Sequence, residues 1–140
     1  MFITREVDYA IRILRAVACG GHSNVGEICR KEVLPRQFVY KIMKKIERMG
    51  LVKITRGAQG GCVLVGDLRK TSLYDLINNL EGDTAISSCM REGHECEWKK
   101  HRAVPCAVHK QLTRIQKSLD EELRECSLHK LIVGVELGRS

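Results

Sequence analysis

Two short runs rich in β-branched residues, Leu51-Val52-Lys53-Ile54-Thr55 and Cys62-Val63-Leu64-Val65, are separated by only Arg56-Gly57-Ala58-Gln59-Gly60-Gly61. A glycine-rich connection between two such runs predicts a β-hairpin. Directly upstream, Pro35 suits the first position of a helix whose inner face is Phe38, Val39, Ile42, Met43, Ile46 and Met49, with Gly50 as its stop. Before that, Asn24-Val25-Gly26-Glu27 has the form of a capping box and opens a short helix with Val25, Ile28 and Cys29 inward. A first helix starts at Thr4, carries Glu6 and Asp8 in its first turn, repeats Val7, Ala10, Ile11, Leu14, Val17 and Ala18 at helical spacing, and stops at Gly20-Gly21. Helix, turn, helix, strand, loop, strand is the order of a winged helix-turn-helix. The expected fold is mainly α with a small β-wing.

Charge is distributed unevenly along the 140 residues. Residues 1–70 carry 14 Lys and Arg against 6 Asp and Glu, residues 71–140 carry 10 against 11, and the net charge is +7. A basic half followed by a near-neutral one implies an anionic partner for the first half, with double-stranded DNA the leading candidate. In a helix-turn-helix the N-terminal residues of the second helix reach base edges in the major groove. The candidate contacts are therefore Arg36, Gln37, Tyr40, Lys41 and Lys44 on the outer face of that helix, with Arg56, Gly57 and Gln59 on the wing. A phosphate-cradling loop is excluded, because the wing lacks the Gly-Lys-Ser/Thr ending and no helix follows it at once. Met1-Phe2-Ile3-Thr4-Arg5 meets a charge too early for a signal peptide, and no apolar run approaches the ~20 residues needed to cross a bilayer. The expected location is the cytoplasm, with no membrane partner.

In the second half, Ser72 caps a helix with Asp75 three residues on, and Leu73, Leu76, Ile77 and Leu80 form its stripe before Glu81-Gly82-Asp83. Residues 84–103 are polar and aperiodic. A long helix is expected from about Pro105 to Leu128, with Val104, Val108, Leu112, Ile115, Leu119, Leu123 and Cys126 at steps of three and four. That stripe suits pairing with the same helix of a second subunit, and a homodimer would match a palindromic operator. The expected organisation is a DNA-binding unit at 1–70, a connecting helix with a cysteine-bearing loop at 71–103, and a dimerisation helix with its tail at 104–140.

Of seven cysteines, Cys19, Cys29, Cys62 and Cys126 are scattered and read as small core residues, whereas Cys89, Cys96 and Cys106 are grouped. In a reducing compartment, grouped cysteines point to metal or redox chemistry before disulfides. Cys106 lies roughly opposite the stripe of the long helix, at its start, where the helix dipole favours a thiolate, and His109 follows within one turn. Three thiolates and one further ligand can hold an iron–sulfur cluster or a zinc ion, although zinc sites usually draw closely paired cysteines. Thiols acting directly as a redox switch, and a cluster carrier or electron-transfer protein, are the other readings. No catalytic constellation appears, and the H-x-E signature of zinc deaminases is absent around His94-Glu95-Cys96.

Asp8-Tyr9-Ala10, Gly50-Leu51-Val52-Lys53, the wing 56–61, Ser72-Leu73-Tyr74-Asp75, Glu81-Gly82-Asp83 and Cys106-Ala107-Val108-His109 together resemble the iron–sulfur winged-helix regulators typified by IscR and NsrR. The resemblance covers nearly the whole chain. It implies a homodimeric transcriptional regulator, a repressor that is not an enzyme, with a cluster of the 4Fe–4S or 2Fe–2S type. Cys89, Cys96 and Cys106 would be three ligands. The fourth would be Asp8 of the partner subunit, the preferred assignment on sequence, or alternatively His109. The gap between the second and third cysteines is longer than the usual pattern.

Overall fold

The computed structural model describes residues 3–19 and 21–134. Seven helices and a small sheet follow in the order α1 (Arg5–Ala18), β1 (Ser23–Asn24), α2 (Val25–Glu32), α3 (Arg36–Arg48), β2 (Val52–Thr55), β3 (Gly61–Leu64), α4 (Leu73–Glu81), α5 (Glu97–Lys100), α6 (Ala107–Glu125) and α7 (Leu128–Val133). A single 3₁₀ turn, Ser88–Met90, lies between α4 and α5. The sheet is antiparallel in the order β1-β3-β2, with Ile54 opposite Cys62 and Ser23 opposite Cys62 on the other side.

The local signals for helix starts are realised as hydrogen bonds. Thr4 Oγ1 accepts from the Val7 N–H at 3.3 Å, and both Asn24 with Glu27 and Ser72 with Asp75 close reciprocal capping boxes. Pro35 sits one residue earlier than expected, at the cap of α3 rather than inside it. Buried Val39, Ile42, Met43 and Ile46 of α3 meet Val7, Ala10, Ile13, Leu14, Ala16 and Val17 of α1 and Val25 and Ile28 of α2 in one core. Ile13 and Ala16 take inner places expected for Ile11 and Ala18, because α1 is enclosed from several sides, packing against α2, α3, α4 and α7. Leu76, Ile77, Leu123 and Leu128 extend the same core.

Two long-range features were absent from the expectation. β1 pairs with β3, and at Gly61 an added Cβ would fall 1.9 Å from the Ser23 carbonyl oxygen, so only glycine allows this approach. The long helix is also shorter than expected. It ends at Glu125 because the Leu73 N–H donates to the Cys126 carbonyl and the Leu128 N–H to the Thr71 carbonyl, each at 2.8 Å. These cross-links to the segment leading into α4 hold Cys126 extended, and Ser127 then caps a separate helix that packs on α1.

Between α2 and α3, Val33 adopts φ 54° and ψ 57°, the left-handed region, and is the only non-glycine among the described residues to do so. For a β-branched residue such a conformation costs about 1–3 kcal/mol. The preceding Glu32 is buried, and the Arg15 guanidinium grips its carboxylate at 3.0 and 2.5 Å, tying α1 to the end of α2. Among the described residues no helix is long and apolar enough to cross a membrane.

Candidate nucleic-acid interface and cysteine site

Burying Val39, Ile42, Met43 and Ile46 turns the opposite face of α3 outward, so Arg36, Gln37, Tyr40, Lys41 and Lys44 are all exposed. The wing tip, Arg56 to Gln59, is exposed beside it; Gly57 has φ +112° and its carbonyl accepts from the Gly60 N–H at 3.0 Å, closing the turn. A groove of about 470 Å³ runs between helix and wing, lined by Tyr40, Lys44, Glu47, Ile54, Arg56 and Gly57. Two acidic residues that periodicity did not single out organise this surface. Glu47 accepts from the Ile54 N–H at 2.6 Å, fastening β2 to α3. Glu6 pairs with both Lys45 and Lys41, and the Lys45 contact chiefly holds its carboxyl below the usual range. Lys41 is thus partly neutralised within the chain, whereas Lys44, Arg36 and Arg56 make no ion pair among the described residues.

This difference sets an expected result for two alanine variants. Arg56→Ala should weaken DNA binding and, if it removes a phosphate contact, flatten the salt dependence by about one unit. Lys41→Ala should have a smaller effect, because its charge is already shared with Glu6. Titrations at several salt concentrations measure both, and an unchanged Arg56→Ala affinity would remove the wing from the interface.

The grouped cysteines occupy three successive local structures. Cys89 is the middle residue of the 3₁₀ turn, with its Sγ 3.4 Å from Ser87 Oγ; Cys96 is at the cap of α5; Cys106 is at the cap of α6. All three are half-buried free thiols. Cys106 Sγ accepts from the His109 N–H at 3.4 Å, and His109 Nδ1 is buried with no hydrogen-bond partner. The turn bearing Cys89 packs on α6, fastened by residues that the sequence reading passed over. Gln116 Nε2 donates to the Thr84 carbonyl and to Asp120 Oδ1, each at 2.9 Å, its Oε1 accepts from the Ile86 N–H at 2.8 Å, and Thr84 Oγ1 donates to Asp120 at 2.7 Å. An Asp83–Arg91 ion pair at 3.1 Å spans the same turn. The residues between the second and third cysteines include the one-turn helix α5, whose Trp98 is exposed.

The donor set of three thiols and an imidazole suits a cluster in its chemistry, and the partnerless buried ring nitrogen of His109 suits a ligand. In this conformation, however, no three His, Cys, Asp or Glu side chains among the described residues are gathered into one coordination shell. Asp8 forms an ion pair with Arg12 at 3.1 Å and is half-exposed. The scattered cysteines divide. Cys62 is fully buried, and burial, with a smaller contribution from the Glu47 charge, pushes its thiol up to about 11. Cys29 and Cys126 are half-buried, while Cys19 is exposed at the end of α1, contrary to the expectation of a core residue.

On α6, Leu123 is buried and Leu119 half-buried against the core, but Val108 and Ile115, together with Val104 before the helix, are more than half exposed. One end of the stripe therefore serves the core and the other faces outward.

Comparison with known proteins gives a consistent picture. Residues 3–134 match the Rrf2 family, described as iron-dependent transcriptional regulators. Protein aau3 of Rhizobium meliloti is 32% identical over 95 residues, which are 66% of this chain and 62% of that protein, so the match spans less than two thirds of that relative. The HTH-type transcriptional regulator NsrR of Oceanobacillus iheyensis is 25% identical over 86% of this chain and 85% of its own. The structure of CymR, the global cysteine regulator of B. subtilis, superposes with a TM-score of 0.74 at 23% identity, covering 96% of this chain and 98% of that one. With a family match across almost the whole chain and a shared winged-helix fold, this protein belongs to the Rrf2 family of DNA-binding transcriptional regulators, which are not enzymes.

Proposed function

We propose that the protein is a homodimeric repressor of a palindromic operator whose DNA binding is controlled by an iron–sulfur cluster sensing redox state, nitric oxide or iron–sulfur status. The observation that carries this reading is His109. Its Nδ1 is buried without a partner one turn after Cys106. Leaving such an atom unsatisfied costs about 1–3 kcal/mol, a penalty that ligation would remove. Cys89, Cys96, Cys106 and His109 would hold the group, which when bound supplies electron transfer and reactivity toward small oxidants. His109 is favoured over Asp8 of the partner subunit because Asp8 already has an ionic partner in Arg12.

The switch then acts through the chain's own contacts. Thr84, Gln116 and Asp120 fasten the cysteine loop to α6, so rearrangement of the loop is felt by that helix. The outward apolar edge of Val104, Val108 and Ile115 is suited to the same helix of a second copy, and the unit at 1–70 reads the DNA. Moving α6 would alter the spacing of two recognition helices and hence operator affinity.

The deciding experiment purifies the protein anaerobically, counts iron and sulfide, and measures DNA binding before and after cluster removal. His109→Ala is expected to alter the visible spectrum and speed cluster loss, while Asp8→Ala leaves both near wild type. The reverse result would transfer the fourth ligand to Asp8. A thiol-responsive regulator without a cluster is the second reading, favoured by three free thiols that are not gathered in this conformation. Protein lacking stoichiometric sulfide but changing DNA affinity on thiol oxidation would select it.

A further inference from the structure

Seven described residues have positive φ; six are glycine, and the seventh is Val33. The contrast with α4 is direct, since that helix ends in a left-handed Gly82 whose N–H donates to the Asn78 carbonyl. Val33 performs the same capping operation for α2, its N–H donating to the Cys29 carbonyl. Capping uses only backbone atoms, and glycine would cap equally well without strain. The valine side chain contributes nothing to the core either. It is 81% exposed, the most exposed large hydrophobic residue among those described, while its neighbour Leu34 is buried. Within this chain, then, the branched side chain carries a conformational cost and no compensating burial.

The position suggests where compensation lies. Val33 is in the turn of the helix-turn-helix, three residues before Arg36 and therefore within about 10 Å of the end of α3 that approaches base edges. An apolar, branched side chain there matches the one apolar group on the floor of the major groove, the thymine 5-methyl. We infer that Val33 is a specificity-determining contact that packs on a thymine methyl group of the operator. Its conformational cost is met in the complex rather than in the free protein. This rests on the winged-helix interface described above and is independent of any cluster.

The test uses the full-length protein and a duplex that it selects from a random-sequence pool. Val33→Gly and Val33→Asn, both compatible with a left-handed backbone, should unfold at the same or a higher urea concentration than wild type. Both should nevertheless bind the selected duplex about tenfold more weakly, as expected for losing the burial of a small branched side chain. Replacing thymines one at a time by deoxyuridine should cost the wild type about fourfold at one position per half-site, the worth of one methyl group, and cost Val33→Gly nothing there. The inference is overturned if both variants bind within twofold of wild type, or if every deoxyuridine affects wild type and variant equally. Arg56→Ala measured in parallel separates the two ideas. If it weakens binding while Val33→Gly does not, this contact alone is rejected; if neither weakens binding, the interface falls with it.

Discussion

Cys106→Ser is expected to abolish the visible absorbance and the stoichiometric sulfide of anaerobically purified protein while leaving the fold intact. The two variants Cys106→Ser and Cys106→Ala separate the proposed ligand role of this residue from its observed capping role. Its Sγ accepts from the His109 N–H at the start of α6, so alanine removes both the proposed ligand atom and a helix cap. Losing a cap costs about 1 kcal/mol, whereas serine is among the better capping residues. A hydroxyl is nevertheless a poor substitute for a soft thiolate ligand. Both variants should therefore lose the cluster, and when compared with cluster-free wild type serine should keep the urea midpoint while alanine lowers it. Cys89 and Cys96 variants should also lose the cluster, while Cys19→Ala, at an exposed helix end, should retain it. If Cys106→Ser keeps stoichiometric sulfide, or the native protein carries stoichiometric zinc without sulfide, the cluster reading is wrong.

The second large effect is expected at Gly61. Its hypothetical Cβ would meet Ser23 O at 1.9 Å, Asn24 Cα at 2.5 Å and the Ser23 carbonyl carbon at 2.7 Å. All three are backbone atoms, so no side-chain rotation relieves the clash. Gly61→Ala must push β1 away from β3, weakening the Ser23–Cys62 and Asn24–Gly61 pairing and the bond from the Val25 N–H to the Gly60 carbonyl. Each such hydrogen bond contributes about 1 kcal/mol. With strain added, the loss should be about 2–4 kcal/mol in equilibrium urea unfolding, within the range of disruptive single substitutions. Because Asn24 caps α2, the damage should spread into the helix-turn-helix and weaken DNA binding as well. Gly57→Ala is the control: unlike Gly61 it has a positive φ, and nothing lies within 4 Å of its Cβ position, so its cost is conformational only. A Gly61→Ala midpoint matching that of Gly57→Ala would show that β1 is dispensable.

Much of the exposed basic surface of α3, the candidate DNA interface, was legible because it depends on short-range regularities. The apolar repeat of α3 decides which face is buried, and its complement must then present Arg36, Tyr40 and Lys44. Less legible was the ionic state of that surface. Lys41 looks equivalent to Lys44 on a helical projection, yet Glu6, 35 positions earlier, neutralises part of it. The cysteine site divides in the same way. The grouping of three thiols and the placement of Cys106 at a helix start follow from local pattern. The clasp of Thr84, Gln116 and Asp120 does not, because Gln116 looks like any polar residue on a solvated helix face.

The sequence alone determined the helix-turn-helix, strand, loop, strand order of the first half, the helix caps at Thr4, Asn24 and Ser72, and the inner face of α3. Each follows from residues within one or two turns of one another, where hydrogen-bonding reach and helical period leave few choices. Only the tertiary structure decided that Ser23 pairs across to Cys62, that α6 stops at Glu125, and that His109 Nδ1 lies buried without a partner. It also decided that Val33 caps α2 in a conformation its own side chain opposes. These outcomes depend on groups distant in sequence, on the length of a turn, or on which atoms the packed chain screens from water. Periodicity and propensity carry no information about any of them.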